Sequence, residues 1–195
     1  MKLNLKIKKK YKVNFIENTW INLKDKNKLA ASIWLPKSKD KKFPTILEYI
    51  PYRKRDATAI RDSLMHPYYA ANGYACIRVD MRGSGDSDGI MKDEYLPQET
   101  KDGIEIIDWI TKQKWSDGKI GMTGVSWGGI VCLQMAICQP KALKAIIPVH
   151  YSVDRYYDDA GYFLGCYPGQ TVGWGALMDG FNSRPPDPLI SGKEW

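Results

Sequence analysis

The chain has 195 residues, of which 44% are hydrophobic and 26% are charged. A chain of this length and composition can bury the core of one ordinary domain, which excludes a largely disordered protein. No stretch approaches the ~18 consecutive apolar residues of a membrane span, and residues 1–10 alternate Leu and Ile with Lys, unlike the apolar segment of a signal peptide. We therefore predict a globular, cytoplasmic protein with no membrane partner.

The net charge of +7 is unevenly distributed along the chain. Residues 1–55 hold 16 Lys and Arg against 4 Asp and Glu, which gives +12, whereas residues 56–195 give −5. A Lys-rich edge attracts phosphate. However, the lysines between Lys12 and Leu35 alternate with apolar residues, as in strands with one solvated face. We favour solvated edge strands over a binding module built on these strands and predict no nucleic-acid partner.

The cysteines argue against a metal or disulfide framework. They match neither a zinc spacing nor a small set of disulfides, and we expect reduced, mostly buried thiols at Cys76, Cys132, Cys138 and Cys166.

Strands and helices alternate along most of the chain. After a basic, hairpin-like opening, apolar runs predict strands at Pro44–Ile50 and Tyr74–Asp80, with a helical segment at Asp56–Asn72 that Pro67 interrupts. Spacing then predicts, in order, a helix at Pro97–Lys112, a strand at Ile120–Val125, a helix at Trp127–Ile137 and a strand at Leu143–Val149. Such alternation indicates a mainly parallel sheet covered on both faces.

The most informative segment is GVSWGG, at residues 124–129. A predicted buried strand leads into it and an apolar helix leaves it, which is the context of a nucleophile elbow. The turn would lift the Ser126 hydroxyl above the sheet edge and leave the Trp127 N–H free at a helix N-terminus, where it can stabilise an oxyanion. The alternative is a Gly-rich turn that packs or binds phosphate, but the loop lacks the Lys-Ser/Thr ending of a P-loop.

Four separated motifs carry a family resemblance: PYRKRD, VDMRGSGDSDG, the run from ETKDGIEIIDW to GMTGVSWGG, and RPPD. Together they resemble the N-terminal portion of the cocaine esterase and X-prolyl dipeptidyl-peptidase (CocE/NonD-type) family of α/β-hydrolases. The resemblance implies that Ser126 is the acylated nucleophile and that the Tyr52 hydroxyl and the Trp127 N–H donate to the oxyanion. It implies no metal or organic cofactor. From the residues alone, a buried turn tyrosine is the favoured interpretation of Tyr52.

Two further segments receive structural interpretations. In the tight loop Asp80–Ser87, we expect Asp80 and Arg82 to hold the loop through charge-assisted hydrogen bonds. From Tyr151 to Phe181, aromatic residues alternate with glycines. The resemblance implies that a helical cap begins here, whose walls would grip an acyl group or a proline ring; aromatic core packing is the alternative. Asp158 and Asp159 suit a substrate ammonium, although a solvated acidic turn is the simpler interpretation.

The resemblance also shows what this sequence does not supply. In the fold it implies, the triad acid and histidine follow the serine, and His150 ends the strand directly after the elbow helix, too early for that histidine. We treat His66 and His150 as structural. We therefore expect an α/β-hydrolase fold truncated after the sixth strand, with a partial core at residues 1–150 and an incomplete cap at 151–195.

The function predicted is that of a serine hydrolase that cleaves ester or amide bonds through an acyl-enzyme. The bond cleaved would be that of an acyl group or of an X-prolyl dipeptide. The substrate would be a small-molecule ester or peptide. This chain would be the N-terminal half and inactive alone; the alternative is a non-catalytic remnant or one chain of a split hydrolase with a separate C-terminal half. Because strand Leu143–Val149 would be left as an open apolar edge, we expect the isolated chain to self-associate.

Overall fold

The computed structural model describes residues 10–167 and 169–191, so the basic residues 1–9 and the last four residues of the predicted cap segment lie outside it. The strands in this part of the chain are β1 (Val13–Asn22), β2 (Lys28–Pro36), β3 (Phe43–Ile50), β4 (Ala75–Asp80), β5 (Ser116–Val125) and β6 (Leu143–Val149). The helices are α1 (Ala59–Ala71), α2 (Pro97–Thr111), α3 (Trp127–Ile137), α4 (Gln170–Asn182) and the short α5 (Pro188–Ser191).

All six strands form one sheet in the order β1-β2-β4-β3-β5-β6. β1 pairs with β2, and β2 with β4, in antiparallel fashion, whereas β4, β3, β5 and β6 run parallel. The predicted mainly parallel sheet with an N-terminal antiparallel hairpin is therefore confirmed.

Two predicted boundaries differ from the structure. β5 begins at Ser116 rather than Ile120, because polar residues that resemble a turn in the sequence pair with β3 through Phe43 and Ser116. α1 runs through Pro67 without interruption. Proline has no backbone N–H, so the Ser63 carbonyl, one turn earlier, receives no hydrogen bond from the helix. Ser63 is exposed, so water can bind this carbonyl instead.

The connections place a crevice at the carboxyl ends of β3 and β5. These two strands are parallel neighbours, but the chain leaves β3 through α1 for β4 on one side and leaves β5 through α3 for β6 on the other. Ligands of open α/β sheets bind where the connections diverge in this way. The residues that directly follow β3 and β5 therefore face one shared crevice.

The two faces of the sheet differ in chemistry. Toward α2 and α3, β3 contributes Leu47 and Tyr49 to a large apolar core that includes Ile106 and Val131. Toward α1, the apolar cluster is small and is centred on Trp34, Ala70 and Cys76.

Beside this small cluster lies a buried charged group. Glu48, Asp62, His66 and Arg78 are each at most 2% exposed. The first face is thus held mainly by apolar burial, and the second by ion pairs as well.

The cysteines only partly follow the expectation. Cys76 and Cys132 are buried, but Cys138 and Cys166 are exposed, so the prediction of mostly buried thiols is wrong for half of them. Cys138 follows the apolar run of α3 at its exposed end, and Cys166 lies in the irregular segment after β6. All four thiols are free, and the cytoplasmic location remains a prediction.

The segment after β6 packs loosely on the core. Its core contacts come mainly from α4, through Trp174, Met178 and Phe181. The aromatic core packing considered from the sequence is wrong for most of the segment, because six aromatic side chains there are at least 41% exposed: Tyr151, Tyr156, Tyr157, Tyr162, Phe163 and Tyr167. Among the described residues of this segment, no strand places them against the sheet.

β6 forms one edge of the sheet within the described residues, and its Ile147 is 66% exposed. Among the helices of the described ranges, none combines the length and the apolar character needed to cross a membrane.

Candidate active site

The predicted sharp strand-to-helix turn is present at Ser126. This residue has φ 56° and ψ −115°, between the last residue of β5 and the first of α3. Its N–H donates to the Val149 carbonyl of β6 at 2.8 Å, which fixes the turn to the neighbouring strand. Non-glycine residues rarely adopt such torsions, and they concentrate at functional sites.

Glycine is required where the turn brings strand and helix together. A Cβ added to Gly124 would lie 2.6 Å from the carbonyl carbon of Gly128, and one added to Gly128 would collide with Ile50. These distances leave room for glycine alone at positions 124 and 128.

Tyr52 lies beside the turn at the end of the neighbouring strand. Its hydroxyl oxygen accepts the Trp127 N–H at 3.3 Å, and the Ser126 side chain lies close enough to lower the pKa of that hydroxyl. The prediction that the Trp127 N–H is free is therefore wrong, because the chain after β3 places the Tyr52 hydroxyl within hydrogen-bonding distance of it. The three predicted site residues are thus in mutual contact.

The Tyr52 hydroxyl is protonated at neutral pH. Burial raises its pKa above the ordinary value of 10.0, although the neighbouring Ser126 side chain and the hydrogen bond from the Trp127 N–H act in the opposite direction. A neutral phenol can donate a hydrogen bond, and a phenolate cannot. With the two donors 3.3 Å apart, one oxygen atom can lie about 3 Å from both, which is the geometry of an oxyanion hole.

The loop after β4 supports the loop that carries Tyr52. The buried Asp80 accepts the Lys54 N–H at 2.8 Å and the Asp86 N–H at 3.2 Å. Lys54 Nζ in turn pairs with Asp86 at 2.7 Å. The prediction that Asp80 and Arg82 hold the loop Asp80–Ser87 is confirmed. Arg82 does so through two 2.8 Å hydrogen bonds to the Asp102 carboxylate.

Arg53 connects the same loop to the segment after α4. Its guanidinium is nearly buried and donates to the carbonyls of Phe181, Arg184 and Pro185 at 2.9 to 3.1 Å. Asp187, the last residue of RPPD, donates its N–H to Asp86 at 2.9 Å. The motifs PYRKRD and RPPD were not predicted to contact each other. In the structure, Arg53 of the first motif binds backbone carbonyls of the second.

A cleft of about 880 Å³ opens in front of Ser126. Its aromatic walls are formed by Tyr95, Tyr151, Tyr156, Tyr162, Tyr167 and Trp174. The acidic residues Glu94, Asp158 and Asp159 also line the cleft. Asp159 is paired with Arg155 at 2.7 Å and its side chain is 11% exposed. The expectation of a solvated acidic turn is therefore wrong for Asp159, because Arg155, one turn earlier, shields and neutralises it.

The two histidines occupy different environments. His66 is fully buried and stacks on Trp34, with ring centroids 4.6 Å apart, in agreement with a structural role. His150, also treated as structural, is exposed with φ 48° and lines the Ser126 cleft. The sequence missed this placement because it depends on β6 lying next to β5. In the described ranges, no hydrogen bond joins Ser126 to either histidine.

One group of residues has the spacing of metal ligands. Ligand atoms of Glu48, Asp62 and His66 lie within 4.8 Å of one another. Arg61 already pairs with both carboxylates at 2.8 Å, and Arg78 lies 3.4 Å from Asp62. A cation there would face two guanidinium groups, so we assign it no metal.

Comparison with known proteins agrees with this geometry. Residues 25–194 match the family described as X-Pro dipeptidyl-peptidase (S15 family). The chain belongs to this family. The match covers most of the chain, including the Ser126 turn, the loop with Tyr52 and RPPD, so the predicted family resemblance is confirmed.

Two curated proteins are similar to this chain in sequence. The chain is 33% identical to cocaine esterase from Rhodococcus sp. over 168 residues, which cover 83% of this chain and 28% of that protein. It is 38% identical over 92 residues to a putative serine esterase from Mycobacterium bovis, covering 47% of this chain and 15% of that protein.

A solved CocE/NonD family hydrolase from Staphylococcus aureus matches with a TM-score of 0.73 and 26% identity, covering 90% of this chain and 35% of that one. The predicted α/β-hydrolase fold class is thereby confirmed. The chain spans 15 to 28% of the length of these two curated relatives.

Proposed function

We propose that this chain carries the nucleophile and the oxyanion donors of a serine hydrolase that cleaves ester or amide bonds, acyl or X-prolyl dipeptidyl. One observation carries the proposal: the Trp127 N–H, directly after the strained Ser126, donates to the buried hydroxyl of Tyr52 at 3.3 Å, so both donors lie beside the serine. The family match and the names of the relatives, an esterase and a dipeptidyl-peptidase family, support the reaction class.

In the proposed reaction, Ser126 Oγ attacks the carbonyl carbon of the substrate, and a general base takes the hydroxyl proton. The carbonyl π electrons move onto oxygen, which then accepts hydrogen bonds from the Trp127 N–H and the Tyr52 O–H. Collapse of the tetrahedral intermediate breaks the bond to the leaving alcohol or amine, which receives the proton. Water then attacks the acyl-enzyme in the same way and releases the acid.

We place the general base and its orienting acid outside residues 1–195. Support comes from the described part of the chain, in which no hydrogen bond joins Ser126 to a histidine. The isolated chain would then be inactive, and activity would require the rest of the catalytic set, on the same chain or on a separate one.

The segment 151–191 forms the outer wall of the substrate site in this proposal, as the start of a cap over a core at residues 1–150. Its exposed tyrosines line the cleft beside Ser126. Aromatic walls suit an apolar acyl group or a proline ring, which agrees with a small ester or peptide substrate.

A fluorophosphonate probe tests the function. We expect mass spectrometry to find the probe on Ser126 when the chain is joined to or mixed with the product of the downstream coding sequence. Labelling should be absent or far slower for the chain alone, and Ser126→Ala should remove it.

Probe on a different residue, or on none under either condition, would overturn the hydrolase proposal. Rapid labelling of the chain alone that His150→Ala abolishes would retain Ser126 as the nucleophile and overturn the external base.

A further inference from the structure

The indole of Trp127 is anchored at its far end. Its Nε1–H donates to Glu99 Oε2 at 3.0 Å, and the side chain is almost completely buried. Tyr95 packs against the same indole, with ring centroids 5.1 Å apart. The residue that presents the backbone N–H to Tyr52 is therefore held both by its own helix and by a side chain of α2.

Glu99 is placed for this contact by the start of α2. It is the third residue of that helix, and its other carboxylate oxygen, Oε1, accepts the Leu96 N–H at 3.4 Å. Each oxygen thus has its own partner, so the side chain has a fixed direction. The N-termini of α2 and α3 are connected through it.

The consequence for the site follows from the position of Trp127 in α3. It is the first residue of the helix, directly after the strained Ser126. Moving the indole would rotate the first turn of α3 and, with it, the N–H that faces Tyr52. An indole N–H left without an acceptor in this buried place would favour such a movement, because an unpaired buried donor is unstable.

We propose that Glu99 is a positioning residue, which holds Trp127 so that its backbone N–H and the Tyr52 hydroxyl converge on one point. The inference rests on the proposed function of these two donors. It concerns their geometry, which can be measured whether or not the chain is active.

Positioning by Glu99 and a purely electrostatic effect of its charge predict opposite changes in the rate of acylation when the carboxylate is removed. A carboxylate near a developing oxyanion opposes it, so removing the charge would accelerate acylation if charge alone mattered. Positioning predicts the opposite sign. Burial raises the pKa of Glu99 above its ordinary value, although the hydrogen bond from Trp127 lowers it.

The direct test is nuclear magnetic resonance of the Trp127 signals in the whole protein. Glu99→Leu should move the indole N–H upfield and shift the Trp127 backbone amide, whereas Glu99→Gln, which keeps an acceptor oxygen, should restore both signals nearly to their original positions. Glu105→Leu is the matched control: it lies on the same helix, but its carboxylate accepts the Lys24 N–H instead.

The second readout is a double-mutant cycle on the rate of Ser126 labelling. We expect Glu99→Leu to slow labelling by about tenfold, below the roughly hundredfold cost of a misplaced reacting group. In a Trp127→Phe background, where the indole donor is gone, the same substitution should have no further effect. A role of Glu99 only in capping α2 would persist in both backgrounds.

The proposal is overturned if the Trp127 amide is unchanged in Glu99→Leu, if labelling becomes faster, or if the effect survives in Trp127→Phe. Should Glu99→Leu not fold, Trp127→Phe still tests the proposal, because removal of the indole donor should shift the backbone amide of residue 127. Absence of Ser126 labelling in the unmodified, complete protein would count against the proposed function and not against the geometry, which the amide signals report separately.

Discussion

The Trp127 N–H lies 3.3 Å from the Tyr52 hydroxyl oxygen, although 75 residues separate them in the chain. The contact exists because β3 and β5 are parallel neighbours whose carboxyl ends meet at one edge of the sheet. Each strand contributes one group there, and the two groups converge beside Ser126. The predictions below follow from this arrangement and from the contacts that support it.

Removing the Tyr52 hydroxyl should impair acylation of Ser126. Loss of one oxyanion donor costs about a hundredfold to a thousandfold in rate, and we expect this loss in Tyr52→Phe with little change in substrate affinity. Stopped-flow acylation or probe labelling measures it.

Tyr49→Phe is the matched control for this substitution. The Tyr49 hydroxyl is buried without a hydrogen-bond partner among the described residues, so its removal should leave the rate unchanged. A Tyr52→Phe protein that reacts at the original rate would remove Tyr52 from the mechanism.

Gly124→Ala should disrupt the turn itself. The added Cβ would lie 2.6 Å from backbone of Gly128, which has no room to move. We expect a loss of about 3 kcal/mol in unfolding free energy, by denaturant titration, from overpacking.

Gly175→Ala in α4 provides the contrast, because a Cβ there meets nothing within 4 Å. That substitution should be neutral or stabilise the helix by up to ~1 kcal/mol. Equal effects of the two substitutions would contradict the proposed close packing at the turn.

Arg53→Ala should release the segment 181–187 from the Tyr52 loop. The guanidinium donates to three carbonyls there, and truncating it leaves them without that donor. We expect faster proteolysis within this segment and a loss of about 3 kcal/mol in stability.

Arg184→Ala is the comparison for Arg53→Ala. Its side chain is 57% exposed and pairs with Asp56, so its removal should change stability by less than ~1 kcal/mol. If the Arg53 variant showed no increase in cleavage between residues 181 and 187, Arg53 would not hold this segment.

Glu48 should contribute an acid-sensitive part of the stability. Burial raises its pKa, but the neighbouring His66, 3.4 Å away, and the charges of Arg78 and Arg61 outweigh burial, so the pKa lies below its ordinary value of 4.5. A lowered folded-state pKa gives stability that is complete above 4.5 and is lost as the pH falls through the folded-state value.

Urea titrations of Glu48→Gln and of the original protein, at pH values from neutral to below 4.5, test this acid-sensitive contribution. At neutral pH the variant should be less stable by about 3 kcal/mol, because Arg61 loses a buried partner. The difference from the original protein should shrink as the pH falls below 4.5. A stability difference between the two proteins that is constant with pH would show that the Glu48 charge does not contribute. Glu17→Gln removes an exposed carboxylate and controls for general charge effects.

The open edge at β6 should make the isolated chain self-associate. Ile147 is 66% exposed on that edge strand, and Ile147→Lys should reduce association because a charged edge resists strand pairing. Ile60→Lys is the control, since Ile60 is 80% exposed on α1 rather than at the sheet edge. Sedimentation velocity over a concentration series measures both variants, and a monomeric original chain would contradict the prediction.

The sequence predicts the strands, the helices and the Ser126 turn well, because hydrophobic spacing and the glycines at 124 and 128 are local signals. It places Tyr52 only through the family resemblance, since nothing local shows that residues 75 positions apart will meet. The anchoring of Trp127 by Glu99, the contacts of Arg53 with RPPD and the position of His150 were not predicted. Each depends on strand order or on side-chain direction, which spacing along the chain does not encode.

The central claim is that the Tyr52 hydroxyl and the Trp127 N–H receive the oxyanion formed on attack by Ser126. A crystal structure of the phosphonylated protein tests it most directly, because the phosphonyl oxygen occupies the position of that oxyanion. We predict this oxygen within about 2.7 to 3.1 Å of both donor atoms. A phosphonyl oxygen that points away from both donors, or an adduct on any residue other than Ser126, would contradict the account.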